Sequence, residues 1–213
     1  MNAKKSAAAQ SAQTRVEQPL MEQPAQGDRR SARERLLAAA AELFYEEGVN
    51  TVGIDRVIER AGVAKASLYS VFGSKEELIR AYLAERHALR QQRIEAKIAR
   101  HDKPRDRLLA IFDYLQDLVA DSSFRGCAFV RASSESRSGD AAKAVSDGSR
   151  AWMRGLFQSL AREAGAKHPE KLARQLVLLY DGAVISAQMD KDSGAPATAR
   201  SMAAALLDAA GAR

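Results

Sequence analysis

TVGIDRVIERAGVAKASLYSVFGSKEELIRAYL, residues 51–83, carries the pattern from which the architecture follows. Ile54, Val57 and Ile58 recur at helical spacing and predict a short helix from about Gly53 to Ala61. Gly62 supplies a position tolerant of positive φ. A second short helix, Lys65 to Phe72, carries Leu68, Val71 and Phe72. Two short helices about a glycine turn have the size and spacing of a helix-turn-helix. Val63 and Leu68 would pack the second helix on the first, leaving Lys65, Ser67, Tyr69 and Ser70 outward. Such a face suits a major groove: Lys donates to guanine acceptors, Ser pairs with several bases, and Tyr reaches a phosphate. Ser74, followed three residues later by Glu77, reads as a capping box that opens a long helix through Leu78, Ile79, Tyr82 and Leu83.

Outward from this core, Leu36, Leu37, Ala40, Leu43 and Phe44 predict a first helix from near Ser31 to Gly48. Residues 1–30 are rich in Ala, Gln, Ser, Glu and Pro without apolar period, and read as a disordered tail. The fourth helix runs to about Arg100, and its later part is basic, with Arg86, Arg90, Arg93, Lys97 and Arg100. Beyond it the pattern predicts helices from Pro104 to about Ala120, Cys127 to Ser134, about Asp140 to Ala164, Pro169 to about Met189, and Pro196 to about Ala210. No alternating strand pattern and no internal repeat are visible. The expectation is an all-α chain.

Composition narrows the function. The 213 residues carry 33 basic and 27 acidic groups, a net of +6, which fits a nucleic-acid partner without proving one. Residues 31–85 hold seven basic and nine acidic groups, so DNA binding there would need a few well-placed cations rather than a bulk field. No apolar run approaches the roughly 18 residues of a membrane span, and no apolar segment follows the N-terminal lysines as in a secretory signal. The single cysteine, Cys127, forms no internal disulfide, which suits a reducing cytoplasm. His87, His101 and His168 are scattered without metal spacing, and no phosphate loop, GxSxG or catalytic carboxylate pair occurs, so no enzyme, metal or cofactor is expected.

The matching pieces "AAELFYEEG", "GIDRVIERAGV", "KASLYSVF" and "SKEEL" occur in order between Arg35 and Tyr82. Together they closely resemble the DNA-binding domain of the TetR (tetracycline-repressor) family of bacterial transcription regulators. "FRGCAFVRASSE" and "LLYDGAVISAQ" resemble later segments of the same family. The resemblance implies an N-terminal three-helix helix-turn-helix domain, residues 31–78. A long fourth helix would join it to a helical effector-binding and dimerisation domain, residues 79–213. It implies DNA contacts by Lys65, Ser67, Tyr69 and Ser70, a phosphate contact by Lys75 at a helix N-terminus, and backbone contacts by Thr51 and Arg56. Ala64 stands where the family commonly has a capping Ser or Thr, a loss of about 1 kcal/mol; Gly53 departs similarly. Arg29, Arg30 and Arg33 are weighed as a minor-groove arm against an ordinary tail.

The same resemblance implies a homodimer through the last two helices, with Ala183, Ala187, Ala203, Ala204, Ala205, Leu206 and Leu207 as small and apolar surface. It also implies a small-molecule effector among the middle helices. Phe112, Phe129, Trp152, Phe157 and Tyr180 are candidate walls, each weighed against plain core. Cys127 is weighed as buried hydrophobe against thiol sensor, with Arg125 and Arg131 near in sequence. The expected function is a transcription regulator, a repressor released from a palindromic operator by its effector. A non-regulatory DNA organiser and a helical bundle that has lost DNA binding are the alternatives.

Overall fold

The computed structural model describes residues 30–135, 141–191 and 193–213. Among these residues there are nine α-helices and no strand. They are α1 (Ala32–Glu47), α2 (Ile54–Ala61), α3 (Lys65–Phe72), α4 (Lys75–Ile98), α5 (Pro104–Ala120), α6 (Ala128–Glu135), α7 (Ala141–Glu163), α8 (Pro169–Met189) and α9 (Ala195–Ala210). Asp140 and the tail before Arg30, Arg29 included, lie outside the described residues.

Local chemistry explains where the first helices begin and end. Ser31 caps α1 with a reciprocal box: Glu34 N–H donates to Ser31 Oγ at 3.2 Å, and Ser31 N–H donates to Glu34 Oε2 at 2.7 Å. The box expected at Ser74 and Glu77 is only half formed. Glu77 N–H donates to Ser74 Oγ at 3.2 Å, but the Glu77 carboxylate turns to Arg80 instead of closing the loop. Gly62 sits at φ 62 and ψ 42, where a side chain is strained, and Arg35 Nη1 donates to its carbonyl at 3.1 Å. This bond ties the turn to α1. Arg33, weighed above as part of an arm, instead lies on α1 with its guanidinium 5.6 Å from the Phe72 ring centroid.

Two apolar clusters organise the molecule. One joins Leu36, Leu43 and Phe44 of α1 to Val57, Leu68, Leu78 and Leu83. It also takes in Ala128, Phe129 and Ala132 of α6 and Ala142 of α7, so it does not end at residue 78. The other fills the space among the end of α4 and α5, α7, α8 and α9, with Ile94, Phe112, Leu115, Phe157, Leu176 and Leu207 at its centre. Its outside is tied by the ion pairs Arg105–Asp208 and Arg200–Asp113, each 2.6 Å.

α8 and α9 hold a surprise for the sequence reading. Ala183, Ala187, Ala203 and Leu207 are buried inside the protomer, not turned outward; Ala204 and Leu206 are half-buried and Ala205 is exposed. The outward apolar side is different. Leu178 is 73% exposed and Met189 76%, with Ile185 between them on one helical stripe, and Met202 of α9 is 52% exposed. Both helices are apolar on two sides, so periodicity alone could not say which side the core takes.

Candidate functional site

The first candidate surface is built on α3. Leu68 is fully buried and anchors the helix, while Lys65, Tyr69 and Ser70 are exposed and Ser67 is half-buried. The α3 N-terminus has no side-chain cap, as Ala64 predicts. Ser67 N–H bonds the Ala64 carbonyl at 2.9 Å instead, a backbone substitute. Lys75 is half-buried at the first position of α4, where Ser74 takes the Glu77 amide and the Glu76 carboxylate turns back onto its own backbone. Thr51 is exposed ahead of α2.

Most cations near this surface already hold carboxylates. Lys65 Nζ lies 2.9 Å from Asp55 Oδ1, Arg56 pairs with Glu47, and Arg60 grips Glu42 with contacts of 2.7 and 2.8 Å. Hydrogen bonding to its carboxylate, then charge, raises Lys65 above its ordinary value; Glu47 does the same for Arg56. These pairs are exposed and carry little stability. Their consequence is electrostatic: each carboxylate offsets a cation that DNA would otherwise meet, in keeping with the net negative charge of this region.

The second candidate site is a cavity of about 360 Å³ among α4, α6, α7 and α8. Of the five aromatic residues predicted as walls, it brings Phe129 and Tyr180 to its surface. Phe112 and Phe157 are buried core, their ring centroids 6.0 Å apart and each 6.4 Å from that of Tyr180. Trp152 is not among the lining residues; its ring is edge-on to that of His87 at 5.6 Å. Cys127 does line the cavity, immediately ahead of α6. Its two neighbouring arginines are committed elsewhere: Arg125 donates to the Ser122 and Phe124 carbonyls, and Arg131 to the Tyr45 carbonyl at 2.7 Å.

Sequence reasoning missed several residues here. Arg90 of α4 reaches the cavity wall with its guanidinium 4.6 Å from the Phe129 centroid. It donates to the Ser149 carbonyl at 3.1 Å and to Ser149 Oγ. Ser149 Oγ also lies 3.1 Å from His87 Nδ1. Burial lowers the His87 imidazole below its ordinary value, and the Arg90 charge acts in the same direction. Arg90 belongs to a basic run along α4, and nothing in that run marks it as the arginine that reaches the cavity.

Tyr45 of α1 was missed as well. Its hydroxyl accepts from Arg125 N–H at 2.9 Å and donates to the Gly126 carbonyl at 3.2 Å. The Arg86 guanidinium stacks 3.7 Å from its ring centroid. Gly126 has φ 90, and a Cβ there would overlap the Gln188 side-chain amide. The loop that ends in Cys127 is thus pinned to α1 on one side and to α8 on the other. α6 itself has one side in the N-terminal cluster and another on the cavity.

Among the described residues no helix is long and apolar enough to cross a membrane, and no group of three or more His, Cys, Asp or Glu is placed to hold a metal.

Comparison with known proteins agrees with this geometry. Residues 36–82 match the model of bacterial regulatory proteins, tetR family. The transcriptional repressor NemR of Escherichia coli is 30% identical over 171 residues, covering 75% of this chain and 85% of that protein. The transcriptional activator FasR of Mycolicibacterium smegmatis is 44% identical over 71 residues, which is 30% of this chain and only 32% of that protein. Among solved structures, a TetR-family regulator from Streptomyces coelicolor superposes with a TM-score of 0.81 at 28% identity, covering 84% of this chain and 96% of that one. A tetR-type regulator from Streptomyces avermitilis gives 0.75 at 34% identity, over 86% and 100%.

Proposed function

The chain belongs to the tetR family of bacterial regulatory proteins and is a DNA-binding transcription regulator; we propose that it is a cytoplasmic repressor released from its operator by a small molecule. The observation that carries this reading is the position of α6, which borders a ligand-sized cavity on one side and packs into the helix-turn-helix cluster on the other. The relative matched over most of its length is a repressor, whereas the activator is matched over a third.

In this reading residues 31–78 hold the DNA and residues 79–213 hold effector and partner subunit. Lys65, Ser67, Tyr69 and Ser70 of α3 read base edges and phosphate, Lys75 with the α4 N-terminus takes a phosphate, and Thr51 and Arg56 flank the backbone. The outward stripe of Leu178, Ile185 and Met189 with Met202 forms a two-fold dimer face, since a subunit alone would leave it in water. A dimer reads a palindrome when its recognition helices stand about 34–36 Å apart. Effector entry shifts α4 and α6, changing that spacing. A second reading, a thiol-reactive effector, draws on the position of Cys127 at the cavity surface.

Selection of genomic fragments with the purified protein tests the proposal. One palindromic site, bound far above bulk DNA and released by a compound that shifts Trp152 fluorescence, is the expected result. Uniform affinity for all fragments would favour a DNA organiser, and no binding at low salt a bundle without DNA function. Loss of release in Cys127→Ser alone would favour the thiol reading.

A further inference from the structure

The charges around the cavity do not balance. Arg150 is matched by Asp181 at 2.6 Å, and Asp147 by Lys143 at 2.6 Å. Among the described residues Arg90 has no such match: it contacts the neutral Ser149 carbonyl and hydroxyl and the faces of Phe129 and Trp152. Its Nε–H is buried and has no acceptor among the described residues. A guanidinium taken part-way out of water, with a donor unmet and no carboxylate partner among the described residues, is an incomplete site.

Tyr180 supplies an independent sign. The residue is 5% exposed and lines the same cavity as Arg90. Burial pushes its phenol far above the ordinary value, with the Arg90 charge opposing, so it stays protonated and able to donate. Phe129, Met153, Val177 and Val184 give the wall an apolar stretch, beside Ser133, Ser134 and Ser146 and the charged pairs already named.

We propose that the effector is a small molecule with an apolar body and a single anionic head, the head held by Arg90 with the Tyr180 hydroxyl. This rests on the reading of the cavity as the effector site. A carboxylate suits the pair: a guanidinium presents planar donors that match carboxylate oxygens, and a small rotation toward the cavity frees the buried Nε–H for one of them. The apolar body fills the space along Met153 and Val177. A neutral molecule of the same shape leaves the Arg90 charge uncompensated as it expels water, and so binds more weakly.

The test uses the full-length protein and a matched pair of probes, 4-phenylbutyrate and 4-phenylbutanamide, with hexanoate/hexanamide and decanoate/decanamide as shorter and longer bodies. Binding is read by Trp152 fluorescence and by calorimetry at neutral pH. For at least one body the acid is expected to bind ten or more times tighter than its amide, on the order of the gain from a charge-assisted bond. Arg90→Gln should abolish that preference and Arg90→Lys should keep part of it; Tyr180→Phe should weaken the acid while sparing the amide. Circular dichroism of each variant checks folding, and the Tyr180→Phe arm stands if Arg90→Gln fails to fold. Equal affinity of acid and amide, or a preference that survives Arg90→Gln, overturns the anionic class and leaves the cavity as a site. Silence of every probe in both measurements overturns the site together with its ligand class.

Discussion

Lys65 shows how one side chain serves two partners. In the free protein its ammonium rests on Asp55, so DNA must compete with a carboxylate only 2.9 Å away. Replacing Asp55 by Asn should therefore strengthen binding to every sequence several-fold, because a negative group leaves the DNA face. Lys65→Ala and Tyr69→Ala should weaken the operator specifically and leave helicity intact. Lys75→Ala should weaken all DNA alike and lower the slope of log affinity against log salt by about one unit, the signature of one lost phosphate contact. Binding titrations at three or four salt concentrations separate these outcomes; unchanged binding in Lys65→Ala, Tyr69→Ala and Lys75→Ala would remove α3 from the groove. His87 makes a prediction of a different kind. Its folded value lies below the ordinary 6.5, so the unfolded chain takes up the proton first. Stability present above pH 6.5 should fall as acid brings the pH down through the lower folded value. Melting temperature followed from about pH 7 to about pH 5 should drop less steeply in His87→Gln than in the parent.

At the scale of elements, α6 and the loop before it matter most. They are shared between the helix-turn-helix cluster and the cavity, and Tyr45 is the tie between them. Tyr45→Phe removes one hydroxyl and two hydrogen bonds, each worth about 1 kcal/mol. We expect the variant to fold and to bind operator, but to respond to effector with a smaller change in DNA affinity. Anisotropy of a labelled operator with and without effector measures that coupling, and an unchanged ratio would exclude the tie from the relay. The start of α1 offers a simpler check. Ser31→Ala breaks the reciprocal cap with Glu34 and should cost about 1 kcal/mol in chemical denaturation.

For the molecule as a whole, the proposed dimer face is the outward side of α8 and α9. Leu178→Glu and Met202→Glu place a charge on exposed apolar surface, so each protomer should fold while the dimer dissociates and operator affinity falls. Ala187→Glu is a different experiment, since Ala187 is buried within the protomer and the charge would be trapped in its own core. It should unfold the chain rather than divide a dimer. Sedimentation of the three variants beside the parent distinguishes the two outcomes. A parent that is already monomeric at micromolar concentration would refute the interface.

What short-range chemistry controls was legible in the order of residues. Gly62 demanded its left-handed turn, Ala64 left α3 uncapped, Pro104 and Pro169 opened α5 and α8, and the spacing of Leu36, Leu43 and Phe44 declared the inner face of α1. These signals act within one or two helical turns, so they survive reading in one dimension. The order of the α1–α4 motifs was legible for the same reason. Tertiary structure alone decided which side of α8 and α9 is core, because both sides are apolar and only the packing of α5 and α7 chooses between them. It also sorted the aromatic residues, closing Phe112 and Phe157 into the core and leaving Phe129 and Tyr180 on the cavity. Arg90 was unreadable on its own: the basic residues from Arg86 to Arg100 look alike in sequence, and only the crossing of α7 brings Ser149 to that one guanidinium. A cavity is space left between helices distant in the chain, and no local pattern records it.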